Sequence, residues 1–335
     1  MVDALDAARG ALVGLALGDA LGMPTQSFSR AEIAARWGVL GGLEPGPADQ
    51  PLAPGRPAGT VTDDTEQAVL LGRLLVDGRG RLDEVEFARW LVAWEDSMRA
   101  RGSLDLLGPS TKAAVTRLLA GADPTDSGIA GTTNGAAMRV APVGIAHPPG
   151  EPLVDAVVAA SRITHHTSVA LAGAAAVAAA VSTGVEGGDV ADAMRAAVTA
   201  ARAAVRRGHW VAAADVATRI AHLAAHVPRV SDLGPDRFLT LVGGLIGTSL
   251  ATQESVPAAF AIVVGAGDDP WLALRLAASI GGDCDTIAAM VGAVLGACRG
   301  TGAFPEGPRR TVAEVNGLDL DALAADLLAL RAAQQ

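Results

Sequence analysis

The sequence predicts an all-α protein, and three observations lead to this prediction. Apolar residues either recur at helical spacing or form long uninterrupted runs, and no segment alternates between apolar and polar residues as a half-buried strand does. The long apolar segments are rich in alanine, which favours helix. No linker, composition break or internal repeat divides the 335 residues, so we expect residues 1–335 to form a single compact bundle of helices.

The apolar content comes largely from small residues. Hydrophobic residues make up 50% of the chain, but aromatic residues only 3%, and there are 40 glycines and no tyrosine. Such a core requires helices that approach one another closely. The first helical segment, residues 4–21, carries glycines at four-residue spacing: Gly10, Gly14, Gly18 and Gly22. We therefore expect a second helix to pack against its backbone.

The other helices are predicted from apolar periodicity and from the residues that precede each segment. They cover residues 29–37, 62–75, 85–98, 111–119, 153–163, 169–181, 190–207, 211–226, 239–250, 256–265, 271–279, 287–298 and 320–330. The rest of 23–61 and the stretch 123–142 are predicted to be irregular, and Asn134-Gly135 indicates a turn with positive φ. In segment 85–98 the face that we assign to the core consists of Phe87, Trp90, Leu91 and Trp94.

Two acidic clusters stand at the starts of predicted helices. In the first, two glycines that allow a turn are followed by acids and a hydroxyl, in the order Gly281-Gly282-Asp283-Cys284-Asp285-Thr286. In the second, a loop rich in Pro and Gly ends in Thr62-Asp63-Asp64-Thr65. Helix capping explains one acceptor per helix, worth about 1 kcal/mol. It leaves the second acid of each cluster unexplained.

Four carboxylates gathered in one place repel each other unless a cation neutralises them. If the two helix starts face each other, we therefore expect a cation site between them. Asp and Thr supply only oxygen ligands, which favour Mg2+, Mn2+ or Ca2+ over zinc. Cys284 is expected to be a spacer between two ligand positions.

Composition excludes several classes of partner. The net charge of -10, with no basic run, disfavours direct binding of nucleic acid. The longest apolar runs, 169–181 and 287–298, are shorter than the roughly 18 residues that suggest a membrane span. The two cysteines, Cys284 and Cys298, lie on one predicted helix beyond disulfide reach, so we expect a reducing, cytoplasmic location.

Two other enzyme types share part of the pattern. Asp283-Cys284-Asp285 has the Asp-x-Asp form of haloacid dehalogenase phosphatases, but that resemblance implies a strand before the first Asp, and residues 274–280 are helical by pattern. A di-iron carboxylate bundle would need Glu-x-x-His pairs, and the sequence contains none.

Taken together, the motifs resemble those of the ADP-ribosylglycohydrolase family. In chain order they are Gly18-Asp19-Ala-Leu-Gly22, Thr62-Asp63-Asp64-Thr65, Asn134-Gly135-Ala-Ala-Met138-Arg139, Thr164-His165 and Gly281-Gly282-Asp283-Cys284-Asp285-Thr286. Their order is the family's order, and they extend over nearly the whole chain. The resemblance implies an orthogonal multi-helix bundle that hydrolyses the glycosidic bond to the ribose of ADP-ribosyl groups.

The resemblance also implies the site residues. It implies two Mg2+ or Mn2+ ions, held by Thr62, Asp63, Asp64, Asp283, Asp285 and Thr286. The residues expected to be catalytic are Asp63, Asp64 and Asp285. Those expected to bind substrate are Asp19, Gln26, Thr133, Asn134, Gly135, Met138, Arg139 and His165.

Two positions depart from the family pattern. Cys284 stands where many members have Thr or Ser, and we expect little effect because it lies between the ligand positions. Gln26 stands where several members have Glu, and an amide cannot accept a proton as a base. We therefore expect Asp63 or Asp64 to supply the base. The expected substrate is an ADP-ribosylated protein or a small ADP-ribose derivative. The alternatives are a hydrolase of smaller nucleoside-like ribosides and an inactive ADP-ribose-binding protein.

Overall fold

The computed structural model describes residues 2–104 and 107–333, and this part of the chain consists of helices and loops. Its helices are α1 Ala4–Gly22, α2 Arg30–Trp37, α3 Asp63–Asp77, α4 Glu84–Ala100, α5 Pro109–Leu119, α6 Pro124–Ser127, α7 Gly135–Met138, α8 Ala141–Ala146, α9 Glu151–His165, α10 Ser168–Val185, α11 Val190–Ala204, α12 Val216–His226, α13 Val230–Leu233, α14 Pro235–Ile246, α15 Thr252–Ala266, α16 Pro270–Ala277, α17 Cys284–Arg299, α18 Glu306–Asn316 and α19 Leu320–Ala332. Short 3-10 turns lie at Val205–Arg207 and Thr301–Ala303. Apart from two isolated bridges, residues 2–104 and 107–333 form no β structure, and the all-α prediction is confirmed.

Two helices form the centre of the bundle. Helix α17 is buried from Cys284 to Ala297, and α10 is buried on nearly every face. Helix α10 is longer than the predicted 169–181 and is apolar and long enough to cross a membrane, but 94% of its apolar window is buried inside the protein. This is the pattern of a core helix, which is apolar all round because it has neighbours all round.

The predicted glycine stripe of α1 packs against α17, and the two helices run antiparallel. A Cβ atom added at Gly10 would lie 2.2 Å from the Gly296 carbonyl oxygen, and one at Gly14 would lie 2.1 Å from that of Gly292. One at Gly18 would lie 2.0 Å from the Ala288 carbonyl oxygen. Since no real Cβ approaches an atom so closely, only glycine permits this helix separation.

Several local expectations differ from the structure. Trp90 is 47% exposed, while Phe87 and Leu91 of the same helix are buried, so the core-facing side of α4 is narrower than predicted. Asn134 and Gly135 begin the short helix α7 with ordinary negative φ at Asn134, and no positive-φ turn forms there. The backbone N–H of Asn134 donates to the Leu250 carbonyl oxygen instead. This is a long-range contact that the sequence pattern does not show.

Other differences concern helix boundaries. The stretch 123–142 contains α6, α7 and the start of α8, and α18 was not predicted. Helix α12 begins at Val216, where Asp215 caps it, rather than at residue 211. These are short helices or helix ends whose formation depends on packing and on caps rather than on an apolar period.

We predict that Gly18→Ala lowers the free energy of unfolding by about 1–3 kcal/mol, because the added methyl group must push α1 away from α17. The matched control is Gly244→Ala at an exposed position of α14, where no atom of the described residues outside the local helix backbone lies within 4 Å of the added Cβ. That change should stabilise the protein by about 0.5–1 kcal/mol, since alanine favours helix. Urea unfolding measures both. A Gly18→Ala variant as stable as Gly244→Ala would contradict the close packing.

Candidate active site

The N-termini of α3 and α17 meet, as the two acidic clusters suggested. The side chain of Asp64, fully buried, makes the junction: its Oδ2 lies 3.2 Å from Thr62 Oγ1 and 3.3 Å from Thr286 Oγ1. Burial raises the pKa of Asp64 well above its usual range, and the neighbouring carboxylates raise it further; they are Asp63, Asp19, Asp285 and Asp283. The five acids therefore share one electrostatic environment.

The predicted glycine turn sets the start of α17. Gly281 and Gly282 have φ of 93° and 78°, and a Cβ at Gly282 would lie 2.4 Å from the Thr248 carbonyl oxygen. The Asp283 N–H donates to that same oxygen at 2.9 Å. A side chain at either glycine would be strained. At Gly282 it would displace the loop that follows α14, and at Gly281 it would press on the backbone N of Arg30 at the start of α2.

Asp19 lies at the end of α1 and does not line the cleft. It is fully buried and accepts hydrogen bonds from the backbone N–H and the hydroxyl of both Thr62 and Thr65, at 2.5–3.0 Å. Burial raises its pKa to about 6, although these four donors act in the opposite direction. The structure thus gives Asp19 the role of holding the N-terminus of α3, whereas the sequence analysis assigned it to substrate binding.

A cleft of about 580 Å³ opens over the two helix starts. Most of the predicted site residues line it: Gln26, Asp63, Thr133, Asn134, Gly135, Met138, Asp283, Asp285 and Thr286. Its lining also includes four leucines, Leu52, Leu104, Leu107 and Leu250. The cleft therefore combines acidic and aliphatic side chains.

Asn134 joins α7 to the second acidic cluster. Its Nδ2 donates to Asp283 Oδ2 at 2.5 Å and to Ser255 Oγ at 2.9 Å. Burial raises the pKa of Asp283 to about 6, against the hydrogen bonds from Asn134 and Thr286, which lower it. Asn134 thus acts on the Asp283 carboxylate directly, and Ser255 on α15, which the sequence analysis did not select, orients the amide.

Arg139 and His165 lie behind the cleft wall rather than in it. Arg139 is 1% exposed, and His165 is fully buried, with its Nε2 3.0 Å from Thr133 Oγ1. The structure places them as partners of cleft residues rather than among the residues that line the cleft. Arg139 donates hydrogen bonds to Gln67 and Thr164, two residues that the sequence analysis did not select as site residues. For Gln67 the available signal was its position as a polar residue one helical turn after Asp63.

Gln26, the second departure from the family pattern, lies at the cleft. Its side chain is 5% exposed, and its Nε2 has no hydrogen-bond partner among residues 2–104 and 107–333. Which amide atom is oxygen and which is nitrogen is set by the partners that the group finds. A buried amide with an open polar atom is available to a ligand or to a water.

The donor set fits a hard cation. Asp64 Oδ1 is buried and accepts no hydrogen bond from the described residues. Four other carboxylates lie near enough to raise the pKa of Asp64. Within 2–104 and 107–333 no three Asp, Glu, His or Cys side chains already stand close enough to chelate an ion. Asp63 and Asp283 are held by Gln67 and Asn134 respectively, so rotation of these carboxylates is needed to complete a ligand set.

Cys284 lies beneath the site. It is fully buried, its Sγ accepts from the Gly281 N–H at 3.2 Å, and burial raises the pKa of the thiol to about 12. The sulfur also lies 3.8 Å from the Thr25 carbonyl oxygen. A protonated thiol with these partners is a packing group.

Comparison with known proteins adds the following. The sequence model of the ADP-ribosylglycohydrolase family matches residues 1–335. The uncharacterized protein YegU of Escherichia coli (strain K12) is 33% identical over 324 residues, 96% of each chain. The ADP-ribosyl-(dinitrogen reductase) glycohydrolase of Rhodospirillum rubrum is 34% identical over 167 residues, 48% of this chain and 52% of the relative. The structure of an ADP-ribosylglycohydrolase-related protein complex matches with a TM-score of 0.70 and 26% identity, over 98% of this chain and 99% of that one.

We predict that Cys284→Ser keeps the fold and the response to divalent cations. A serine hydroxyl can accept from Gly281 and donate to Thr25, so the cost should stay within the roughly 1–3 kcal/mol of an imperfectly satisfied polar group. The control is Cys298→Ser at the other end of α17. Melting curves with and without Mn2+ provide the measurement. If Cys284→Ser alone abolishes the Mn2+ effect, the sulfur is a ligand and the spacer role is wrong.

Proposed function

Because the chain belongs to the ADP-ribosylglycohydrolase family, whose named relatives are glycohydrolases, we propose that it is a metal-dependent hydrolase that cleaves the glycosidic bond to the ribose of ADP-ribosyl groups. Hydrolysis of ADP-ribosyl linkages follows from the family. The metal, its count and the substrate are the proposed part.

The observation that carries the metal proposal is the environment of Asp64. One of its oxygens joins the two helix starts, and the other is buried without a hydrogen bond from the described residues. A buried carboxylate oxygen with acidic neighbours is costly unless a cation approaches it. We propose that two Mg2+ or Mn2+ ions are held by Thr62, Asp63, Asp64, Asp283, Asp285 and Thr286. When bound, such ions would orient a ribose diol and a water and would stabilise charge that develops in the transition state.

The side chains divide the remaining work. The oxygen of the attacking water forms a bond to the anomeric carbon, and the bond from that carbon to the leaving group breaks. The water gives a proton to the base, and the leaving group, which keeps the bonding electrons, takes up a proton from solvent. Asp63 is the better base of the two candidates, because it lines the cleft whereas Asp64 is fully buried. Its Oδ2 is oriented by the Gln67 amide at 3.1 Å. Gln26 then positions the water or the ribose without taking the proton.

The leaving group defines the second part of the proposal. The Rhodospirillum rubrum relative is named for ADP-ribosylated dinitrogen reductase, which supports an ADP-ribosylated protein as substrate here. One observation favours the alternative of a smaller riboside: none of the described residues that line the cleft is Lys, Arg or His, so no cationic side chain faces a diphosphate. We place the reaction in the cytoplasm, which the two free thiols support.

We predict that Mg2+ or Mn2+ raises the melting temperature and that EDTA reverses the rise, since a ligand that binds only the folded state at 100 times its Kd stabilises by about 2.7 kcal/mol. Asp64→Asn should remove the response. Without metal this variant should be at least as stable as the wild type, because it removes one buried charge from a repelling group.

The control for that experiment is Asp77→Asn, which changes an exposed acid at the other end of α3. It should retain the full response to the cations. A wild-type melting curve that neither Mn2+ nor EDTA changes would remove the metal from the proposal.

For catalysis, we predict that Asp63→Asn and Asp285→Asn lower kcat by about 10²–10⁴, the range for loss of a general base. Gln26→Ala should lower kcat/KM by only about tenfold, as expected for one hydrogen bond. Release of ADP-ribose or ribose from ADP-ribosyl-arginine, ADP-ribosyl-serine and simple ribosides provides the assay. Equal losses in the Gln26 and Asp63 variants would mean that Gln26 takes part in the chemistry.

If the wild type turns over none of these substrates yet binds ADP-ribose, the chain is a binding protein. If it turns over simple ribosides alone, the smaller substrate is the correct one. The same set of substrates therefore separates the three functions.

A further inference from the structure

A continuous line of buried hydrogen bonds runs behind the cleft, from one wall to the other. Its centre is Arg139, whose guanidinium stacks over the Phe87 ring at 5.0 Å. Nη1 donates to Gln67 Oε1 at 2.9 Å, and Nη2 donates to Thr164 Oγ1 at 2.6 Å. Since arginine has only donors, the direction of both hydrogen bonds is fixed.

On one side, the hydrogen bond from Arg139 fixes the orientation of the Gln67 amide, which contacts Asp63 in the acidic wall. Gln67 Oε1 accepts from Arg139, so the other end of the amide must be Nε2, and it donates to Asp63 Oδ2 at 3.1 Å. Arg139 therefore removes the uncertainty about which way the amide is turned. The carboxylate that lines the cleft is consequently held by a donor.

On the other side, the hydrogen bond from Arg139 fixes how Thr164 contacts His165. Thr164 Oγ1 accepts from Arg139 and has one hydrogen to give. Its possible acceptors are His165 Nδ1 at 2.8 Å and the Ser161 carbonyl oxygen at 3.4 Å. The shorter distance has the better geometry for an O–H donor, so the hydrogen goes to Nδ1.

The ring is neutral, because burial and the Arg139 charge lower the pKa of His165 well below its usual value. A neutral imidazole that accepts at Nδ1 carries its proton on Nε2. Nε2 lies 3.0 Å from Thr133 Oγ1 and therefore donates to it. Among residues 2–104 and 107–333 the Thr133 hydroxyl makes only this hydrogen bond, in which it accepts, so its own hydrogen has no acceptor there.

We propose that Arg139 is a positioning residue which, through Thr164, fixes His165 as the Nε2–H tautomer and so leaves the Thr133 hydroxyl as a donor directed into the cleft. The proposal rests on the proposed function, and it specifies the ligand chemistry at this wall. Thr133 would bind an acceptor oxygen of the substrate, phosphoryl or ribosyl, and would not accept from a substrate N–H group.

The absence of a side chain at Gly135 leaves room for the His165 imidazole. A Cβ at this residue would lie 2.9 Å from His165 Cε1 and 3.2 Å from Nε2, so any side chain would press on the ring. The geometry at Nε2 thus depends on a glycine in α7 as well as on Arg139. This is a packing reason for glycine at 135 that is independent of backbone conformation.

The first test measures the tautomer in the ligand-free protein. Nitrogen-15 NMR separates the two ring nitrogens, and contacts to the Thr133 methyl group assign the signal among the six histidines. We expect His165 to be protonated at Nε2. A ring protonated at Nδ1 would overturn the proposal, whether or not the enzyme hydrolyses any substrate.

Matched variants then test the relay. Thr164→Val removes the hydroxyl and keeps the shape, and it should populate the Nδ1–H tautomer and raise KM with little change in kcat. Thr164→Ser keeps the hydroxyl and should retain both the wild-type tautomer and KM. If Thr164→Val keeps the wild-type tautomer, Thr164 does not set it and the relay is wrong.

The Thr133 pair tests the donor itself. Thr133→Val should raise KM, or the Kd for ADP-ribose if turnover is absent, by about tenfold, the value of one good hydrogen bond. Thr133→Ser should be close to the wild type. Equal affinities for the Val and Ser variants would show that the hydroxyl donates nothing to the ligand.

Discussion

The site depends on the separation between α1 and α17, which glycine alone permits. The two helices run antiparallel with backbone in contact with backbone at Gly10, Gly14 and Gly18, and the contact continues to Gly22, where a Cβ would lie 2.3 Å from the Asp285 Cα. The glycine stripe therefore ends at the acidic cluster. It fixes the distance between the end of α1, which carries Asp19, and the start of α17.

From that fixed point the hydrogen bonds organise the rest. Asp19 holds the start of α3 through Thr62 and Thr65, and Asp64 then reaches Thr286 on α17. The N-cap residues of α3 and α17, Thr62 and Asp283, make no side-chain capping hydrogen bond, so helix capping does not account for the acids of either cluster. The cost of keeping these carboxylates ionised is visible in the pKa of Asp64, which burial and the neighbouring acids raise, and in that of Asp283, which burial raises. A bound cation would offset this cost.

Sequence reasoning reached the helices with strong periodicity, the glycine stripe and the two acidic clusters, because each has a local signal. It did not separate cleft residues from residues behind the cleft. Asp19, Arg139 and His165 belong to motifs, but a motif does not tell which side chain faces the ligand. The buried partners of Arg139, Gln67 and Thr164, come from α3 and α9, and only tertiary packing shows that they meet. The same applies to Trp90, since the helical period marks a face without showing how much of it is covered.

The central claim is that the two acidic helix starts form one cation site at the floor of a substrate cleft. Anomalous scattering from crystals grown with Mn2+ and ADP-ribose tests it most directly, because it locates the metal independently of turnover. The account predicts manganese between α3 and α17, in contact with Asp64, and the ribose above it in the cleft lined by Asp63 and Asp285. ADP-ribose bound in that cleft with no manganese at these carboxylates, or with manganese elsewhere, would contradict it.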